Sequence, residues 1–426
     1  MDNIQTGYKN FTSLMQREFE NVTKDAFFDV RKKAYDAVIA AGLPTRKTER
    51  YKYSSSEKLF RSEMHSNKKI EINDEVKNRI KNKKIDNAIN IIFVDGNFVK
   101  ELSDDTTHEG FVISSIAEKE ESAVKLIAKE NNVNDIFANM NTALFQDGLY
   151  ITVDSEKKVE RLIHIIYVVT KEDTLSCVRN IIDVADDAEI TIAESIITVA
   201  EHKHSFTNIV VDIHARKNAQ VNYYRLEDGG MHDNVVQNTH CYQDESSNIN
   251  VNTITLSGNW IRNNVYSALA AEKGHINIHG LSVVDGSSHV DNHTYVDHIS
   301  PECSSDQVYK GVWYDHAMGV FNGKIFVHKD AQKTNAMQYS QNILMNKGAK
   351  VNAKPELEIY ADDVKCAHGS TNSKIDKQAL FYLKSRGISE EKARALMLKA
   401  FIYDIIVTIE HPVWREYIEA RVSLSS

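Results

Sequence analysis

Cys366 and His368 are the residue pair most able to do chemistry in this chain. In KPELEIYADDVKCAHGST they stand at i and i+2, so on a strand both side chains point to one face. A thiolate and an imidazole together suit Fe²⁺ or an iron–sulfur cluster. Two donors do not make a stable site, so the remaining ligands have to come from a second chain or a transient cargo. The plainer alternative is a small buried Cys beside a hydrogen-bonded His. Asp362 and Asp363 precede the pair, and as neighbours on a strand they would face opposite ways. They read as turn residues rather than an acid–base couple.

Histidine is the other informative residue type. Twelve of the 17 fall between His202 and His328. His202 and His204 share a strand face in principle, and His275, His279, His289, His293 and His298 follow at short intervals. No Cys or carboxylate recurs beside them at metal-ligand spacing, so they read as ladder residues on a polar face. GxxxxGK[ST], GxGxxG, HExxH and GxSxG do not occur, which excludes an ATP site of the P-loop kind and the commonest hydrolase signatures.

The totals suit a cytoplasmic protein. Charged residues are 26% and hydrophobic residues 42%, with a net charge of −9 and no basic block, a poor match for nucleic acid or an anionic membrane. No apolar run reaches membrane-span length, and the first twenty residues lack a signal-peptide pattern. Cys177, Cys241, Cys303 and Cys366 are scattered without a CxxC, against both a disulfide framework and a structural zinc site.

The elements that must position the pair follow from periodicity. Phe11 to Ala41 carries an apolar residue every three or four positions and is expected to be helical, ended by Gly42 and Pro44. A lysine-rich stretch runs to Asn87 as a solvated helix face or linker. INIIFVDGNFV, Ile89–Val99, is a hairpin, and Val124 to Phe145 is expected to form two short helices. After Leu149 the period becomes two. A polar turn followed by an alternating strand recurs at Asp186, Lys217, Glu245, Glu272, Lys329 and Gly348, mostly at roughly 30-residue spacing with one double and one short gap. This predicts a β-solenoid, in preference to a β-sandwich, which does not explain the recurring turn. From Asp376 the helical period returns. Gly387 is a C-cap, Ser389 caps a helix with the stripe Ala393, Leu396, Met397, Ala400, Phe401 and Ile405, and Trp414 to Ala420 forms a further short helix. The expected division is 1–148, helical with a small hairpin; 149–373, solenoid; and 374–426, a helical tail that caps the last coil, docks a partner, or does both.

The string KPELEIYADDVKCAHGST with ALFYLKSRGI resembles the SufB/SufD family of iron–sulfur cluster assembly scaffolds, on its SufD side. FNGKIFVHKDAQKTNAMQ, HVDNHTYVDHISPECSSDQVYKGVWYD, VRNIIDV and GLPTRKTERYKY add to the likeness, the last with Tyr51 where the family usually has Trp. The resemblance implies a right-handed parallel β-helix with flanking helical regions. It also implies a non-catalytic subunit that pairs with SufB through the β-helix, or with itself when isolated, and docks the ATPase SufC through its C-terminal helices. No tightly bound cofactor is implied, only transient iron or a nascent cluster. SufB carries a cysteine where this chain has Ser340, so His368, with Cys366 second to it, is expected to face that thiol across the interface. Functions of other classes that these residues also allow are a β-helix enzyme acting on polysaccharide and a stand-alone metal-binding solenoid.

Overall fold

The computed structural model describes residues 2–66, 70, 72–129, 135–199 and 205–422. Its centre is a β-solenoid of two long, mostly parallel sheets that face each other. Sheet A takes Thr174–Val184, Phe206–Ala215, Asn234–Gln243, Trp260–Leu269, His289–His298, Met318–Val327 and finally Lys350–Ile359. Sheet B takes the strands between them, ending with Ser304–Trp313, Asn335–Leu344 and Lys365–Ser373. Successive strands therefore alternate between sheets, and each pairs with the strand one coil away. Inward residues stack in columns: Ile190, Val221, Ile249 and Ile276 lie in register, all essentially inaccessible. Each such aliphatic side chain contributes roughly 1.5–3 kcal/mol of burial, which a single coil could not gain by itself.

The recurring turn has a backbone cause. Glu156, Asp187, Asn218, Ser246, Lys273, Glu302 and Lys333 all have φ between 56° and 63°, and stack at one corner of successive coils. The N–H groups of Asp187, Asn218, Ser246 and Glu302 donate to the next coil's corner carbonyl at 2.9 Å. Asp187, Asn218 and Ser246 are short polar residues that tolerate this left-handed conformation, while Glu156, Lys273, Glu302 and Lys333 are held in it by the same N–H bond to the next coil, so the corner reads as a polar turn. The stack corrects the sequence repeat at three points. Pro301-Glu302-Cys303 fills the double gap, the next corner is at Lys333 rather than Lys329, and Gly348 leads into sheet A, on the other side of the coil.

Most of the N-terminal region lies against the outer face of sheet A, on Leu175, Phe206, Val236 and Trp260. The single helix expected over Phe11–Ala41 is two, α1 (Asp2–Glu20) and α2 (Phe28–Ala41). Between them the Asp25 carboxylate accepts from the Phe27 N–H at 2.9 Å, a local bond that competes with the helix ladder. The two helices fold back so that Phe19 stacks on Tyr35, ring centroids 4.1 Å apart. Helix α3 (Asp74–Lys83) instead packs Val76 and Ile80 on sheet B against Ile166 and Val168, with Lys77 and Lys81 exposed and Lys83 paired with Asp228. Helices α4 (Glu120–Lys129) and α5 (Ile136–Leu144) are the expected pair, and Asn141 of α5 donates to the carbonyls of Val178 and Asn208, each at 2.9 Å. The hairpin turns at Asp95-Gly96, but its first strand, Ile89–Val94, pairs in parallel with Ile163–Val169 and extends sheet B.

After the last strand come α6 (Lys377–Ser385), α7 (Glu390–Ile406) and α8 (Pro412–Glu419). Ser389 caps α7, and Gly387 takes φ 85° as the stop of α6. The helices do not cap the last coil. They lie on the outer face of sheet B, where Leu398, Ile402, Ile405, Ile406, Trp414 and Ile418 pack on Tyr224, Leu226, Ile254, Leu281 and Val312. The buried face of α7 is thus turned from the expected stripe, and Leu396 is 50% exposed. Lys310 reaches the Asp404 carboxylate at 2.5 Å and the Phe401 carbonyl at 3.1 Å, and the Tyr224 hydroxyl accepts from the Glu410 N–H at 3.0 Å.

Candidate functional site at the open end of the solenoid

Lys350–Ile359 ends sheet A and Lys365–Ser373 ends sheet B. Among the described residues no strand pairs with either on its outer side. In a parallel ladder alternate residues address opposite neighbours. The Lys350 N–H donates inward to Ala317, so those of Val351, Ala353, Leu357 and Ile359 turn to the open side. The Lys365 N–H likewise donates to Thr334, so those of Cys366, His368, Ser370 and Asn372 are turned outward. Pro355 falls in the outward set, where its missing N–H costs no ladder bond.

The connection between these strands contains Asp362 and Asp363, both exposed turn residues as expected. Asp363 is pinned to the previous corner: its carbonyl accepts from Lys333 N–H at 2.6 Å, and its N–H donates to the Gln332 side chain at 3.0 Å.

Cys366 and His368 do share a face, the inward one, but their surroundings differ. Cys366 pairs in register with Ala336 and packs against an apolar cluster of Ile325, Val327, Ala331, Ala336 and Ala361. Burial pushes its thiol above the ordinary range, away from the thiolate a metal needs. His368 is exposed, because no further coil covers it. Its Nδ1 lies 3.1 Å from the Pro355 carbonyl, which can only accept, so the neutral ring carries its proton on Nδ1. Nε2 is then left with its lone pair, the tautomer a metal-ligating imidazole requires.

His368 continues a column of polar interior residues. It is in register with Gln338, which donates to Gln307 at 3.2 Å, and Gln307 accepts from Thr294 at 2.6 Å. Ser340 is one strand back and two residues along, buried, with Asn342 donating to its hydroxyl at 3.2 Å. From strand spacing and rise its Cα is roughly 8 Å from that of His368.

The other candidate histidines are engaged within the protein. His275 bonds Ser304 and Asn277, His279 meets Asp306 at 3.1 Å, His289 meets Ser54 at 2.8 Å, His293 meets Asp291 at 2.8 Å, and His298 bonds Ser305 at 2.9 Å. His202 and His204 lie outside the described residues. Among the described residues no three or more His, Cys, Asp or Glu side chains are grouped to hold a metal ion.

Sequence reasoning missed two buried clusters on the outer face of sheet A: Arg179–Asp212–His240 and Arg262–Asp291–His293. Their only sequence signal is separation by about one coil, visible once the coil length is known.

Two family models cover the chain. The SUF system FeS cluster assembly SufBD core domain matches residues 167–401, and the SufBD protein N-terminal region matches residues 2–165. The chain belongs to the SufBD family. The iron-sulfur cluster assembly protein SufD of Escherichia coli K12 is 30% identical over 396 residues, 90% of this chain and 90% of the relative. The SufBD family protein slr0076 of Synechocystis is 28% identical, covering 74% of this chain and 73% of its own length. Protein ABCI7, chloroplastic, of Arabidopsis thaliana is 25% identical, covering 88% and 81%. This SufBD protein is thus an iron–sulfur cluster assembly protein and a SufD homologue, and its matched core spans the solenoid's last coils, the open edges and most of α7.

Proposed function

We propose that this chain is a non-ATPase scaffold subunit that pairs with a SufB-type partner through the open end of its solenoid and works in the cytoplasm. The observation that carries the reading is the pair of unpaired edges. Two strands of ten and nine residues end their sheets side by side, with outward N–H groups waiting for acceptors. Unprotected edges of this length associate with other strands unless something covers them. Isolated chains satisfy the same edges by pairing with each other. No helix among the described residues is long and apolar enough to cross a membrane, which agrees with this setting.

His368 is the ligand this chain offers at the seam, with Cys366 beside it on the same inward face. Its Nε2 lone pair coordinates iron or a nascent cluster, and the partner supplies a thiolate where this chain has Ser340. A SufC-type ATPase docks on α6 and α7, whose outward Phe381, Tyr382, Leu396 and Tyr403 are 73%, 57%, 50% and 42% exposed. Packing α7 on sheet B through Leu398 and Ile402 leaves these residues free for a partner. The test is co-expression with SufB-type and SufC-type proteins. Co-elution of all three on size exclusion is expected, and separate elution overturns the reading.

A further inference from the structure

A line of side-chain hydrogen bonds inside the solenoid runs toward the open end and stops at an exposed donor. Gly311 of Ser304–Trp313 pairs in register with Asn342 of Asn335–Leu344, which pairs in turn with Asn372 of Lys365–Ser373. Gly311 leaves room for the Trp313 indole to lie over it, since a Cβ there would come within 2.2 Å of Trp313 Nε1 and 2.7 Å of Asn342 Oδ1. Trp313 Nε1 donates to Asn342 Oδ1 at 2.9 Å, and Asn342 Nδ2 donates to Asn372 Oδ1 at 3.0 Å.

The buried end sets the direction of this line. An indole nitrogen only donates, so Asn342 turns its carbonyl to Trp313 and its amino group away. That amino group meets Asn372 and, at 3.2 Å, the Ser340 hydroxyl. Asn372 therefore gives Oδ1 to Asn342 and holds Nδ2 on the far side, toward the open end. With an acceptor in place of the indole, the same two asparagines would settle the other way, carbonyl outward. Trp313 and Asn342 are buried and Asn372 is exposed. Among the described residues no acceptor meets Asn372 Nδ2.

Asn372 stands four residues beyond His368 on the same inward face, roughly 13 Å along the strand. The last coil thus ends on a lone pair at His368 and on N–H groups at Asn372. A strand that pairs with this edge carries the interior column onward and takes Asn372 Nδ2 out of water. Left there without an acceptor, the donor lowers affinity at least about tenfold. We propose that Asn372 selects the partner: it donates across the seam to an inward-facing side-chain oxygen on the terminal coil of a SufB-type protein, and an apolar or donor-only residue at that rung is rejected. The inference rests on the edge-pairing reading and adds the rung at which the partner carries its acceptor.

Titration calorimetry of the parent chain, Asn372→Asp and Thr371→Asp with a SufB-type partner tests it. In Asn372→Asp the carboxylate still accepts from Asn342, so the isolated variant should melt like the parent. It meets the partner with an acceptor in place of a donor, and binding is expected to weaken at least about tenfold. Thr371→Asp puts the same charge on the opposite, outer face and should bind within about threefold of the parent. A crystal structure of the parent complex should place a partner oxygen within about 3.2 Å of Asn372 Nδ2. Three results overturn the proposal while the parent still binds: equal affinity of Asn372→Asp, equal weakening by Thr371→Asp, or no partner oxygen at Nδ2. If the parent itself does not bind, the edge-pairing reading falls and this proposal falls with it.

Discussion

Replacing Ser370 by proline tests the open edge directly. The Ser370 N–H is turned away from Asn335–Leu344, so Ser370→Pro removes no bond of the ladder, and the side chain is exposed. The preceding Gly369 is extended, as a residue before proline must be. The isolated chain should lose no more than about 1 kcal/mol. In a complex built on the edge the same change deletes a donor and leaves a partner carbonyl unsatisfied, about 2 kcal/mol, or roughly 30-fold in Kd. Thr371→Pro is the control. The Thr371 N–H faces the ladder, so this variant should cost about 3 kcal/mol of fold stability. The assay is a calorimetric titration of each variant with a SufB-type partner, beside denaturant melts of the isolated chains. If Ser370→Pro melts like the parent and binds equally well, edge pairing is refuted.

His368→Ala deletes one exposed hydrogen bond, so stability should change by less than about 1 kcal/mol and the complex should stay assembled. Cluster yield, read by visible absorbance, should fall, and a normal yield removes His368 from the site. Trp414 is fully buried with its ring centroid 5.5 Å from that of His164, so Trp414→Ala should cost about 3–5 kcal/mol in denaturant melts. Burial pushes His164 and His298 down to about 3 and His289 to about 4, so the folded state holds them neutral while the unfolded state protonates near 6.5. Stability from these groups is present above pH 6.5 and is lost as pH falls from 6.5 toward 3–4, by about 1.4 kcal/mol per pH unit per group. His298→Gln should flatten that slope, measured as ΔG against pH.

Local rules made much of this fold legible. The alternation after Leu149, the hairpin at Asp95-Gly96, the caps at Ser389 and Gly387 and the corner column are decided within a few residues of themselves. The failures were local rules overridden at longer range or by a competing bond. The Phe11–Ala41 stripe continues across a break that the Asp25 side chain makes. The α7 stripe was assigned to one face, while sheet B received another, because Lys310, Tyr224 and Asn252 hold the helix at a rotation its own pattern does not specify. The candidate pair was found by spacing, yet spacing treated Cys366 and His368 alike. Their difference comes from Ile325, Val327 and Ala361, which enclose one side chain and leave the other at the end of the stack.

By itself, the sequence determined a coil of roughly 30 residues, the strand-to-helix change near Asp376, the family and the pair Cys366–His368. Tertiary structure decided which residues a coil apart meet, as Gln338 meets His368 and Asp212 meets His240. It also left the last coil uncovered and set the proton of His368 on Nδ1 through the Pro355 carbonyl. The division has a physical reason. Turn and strand preferences are set by neighbours along the chain, whereas coil register and the open end follow from packing summed over many stacked rungs.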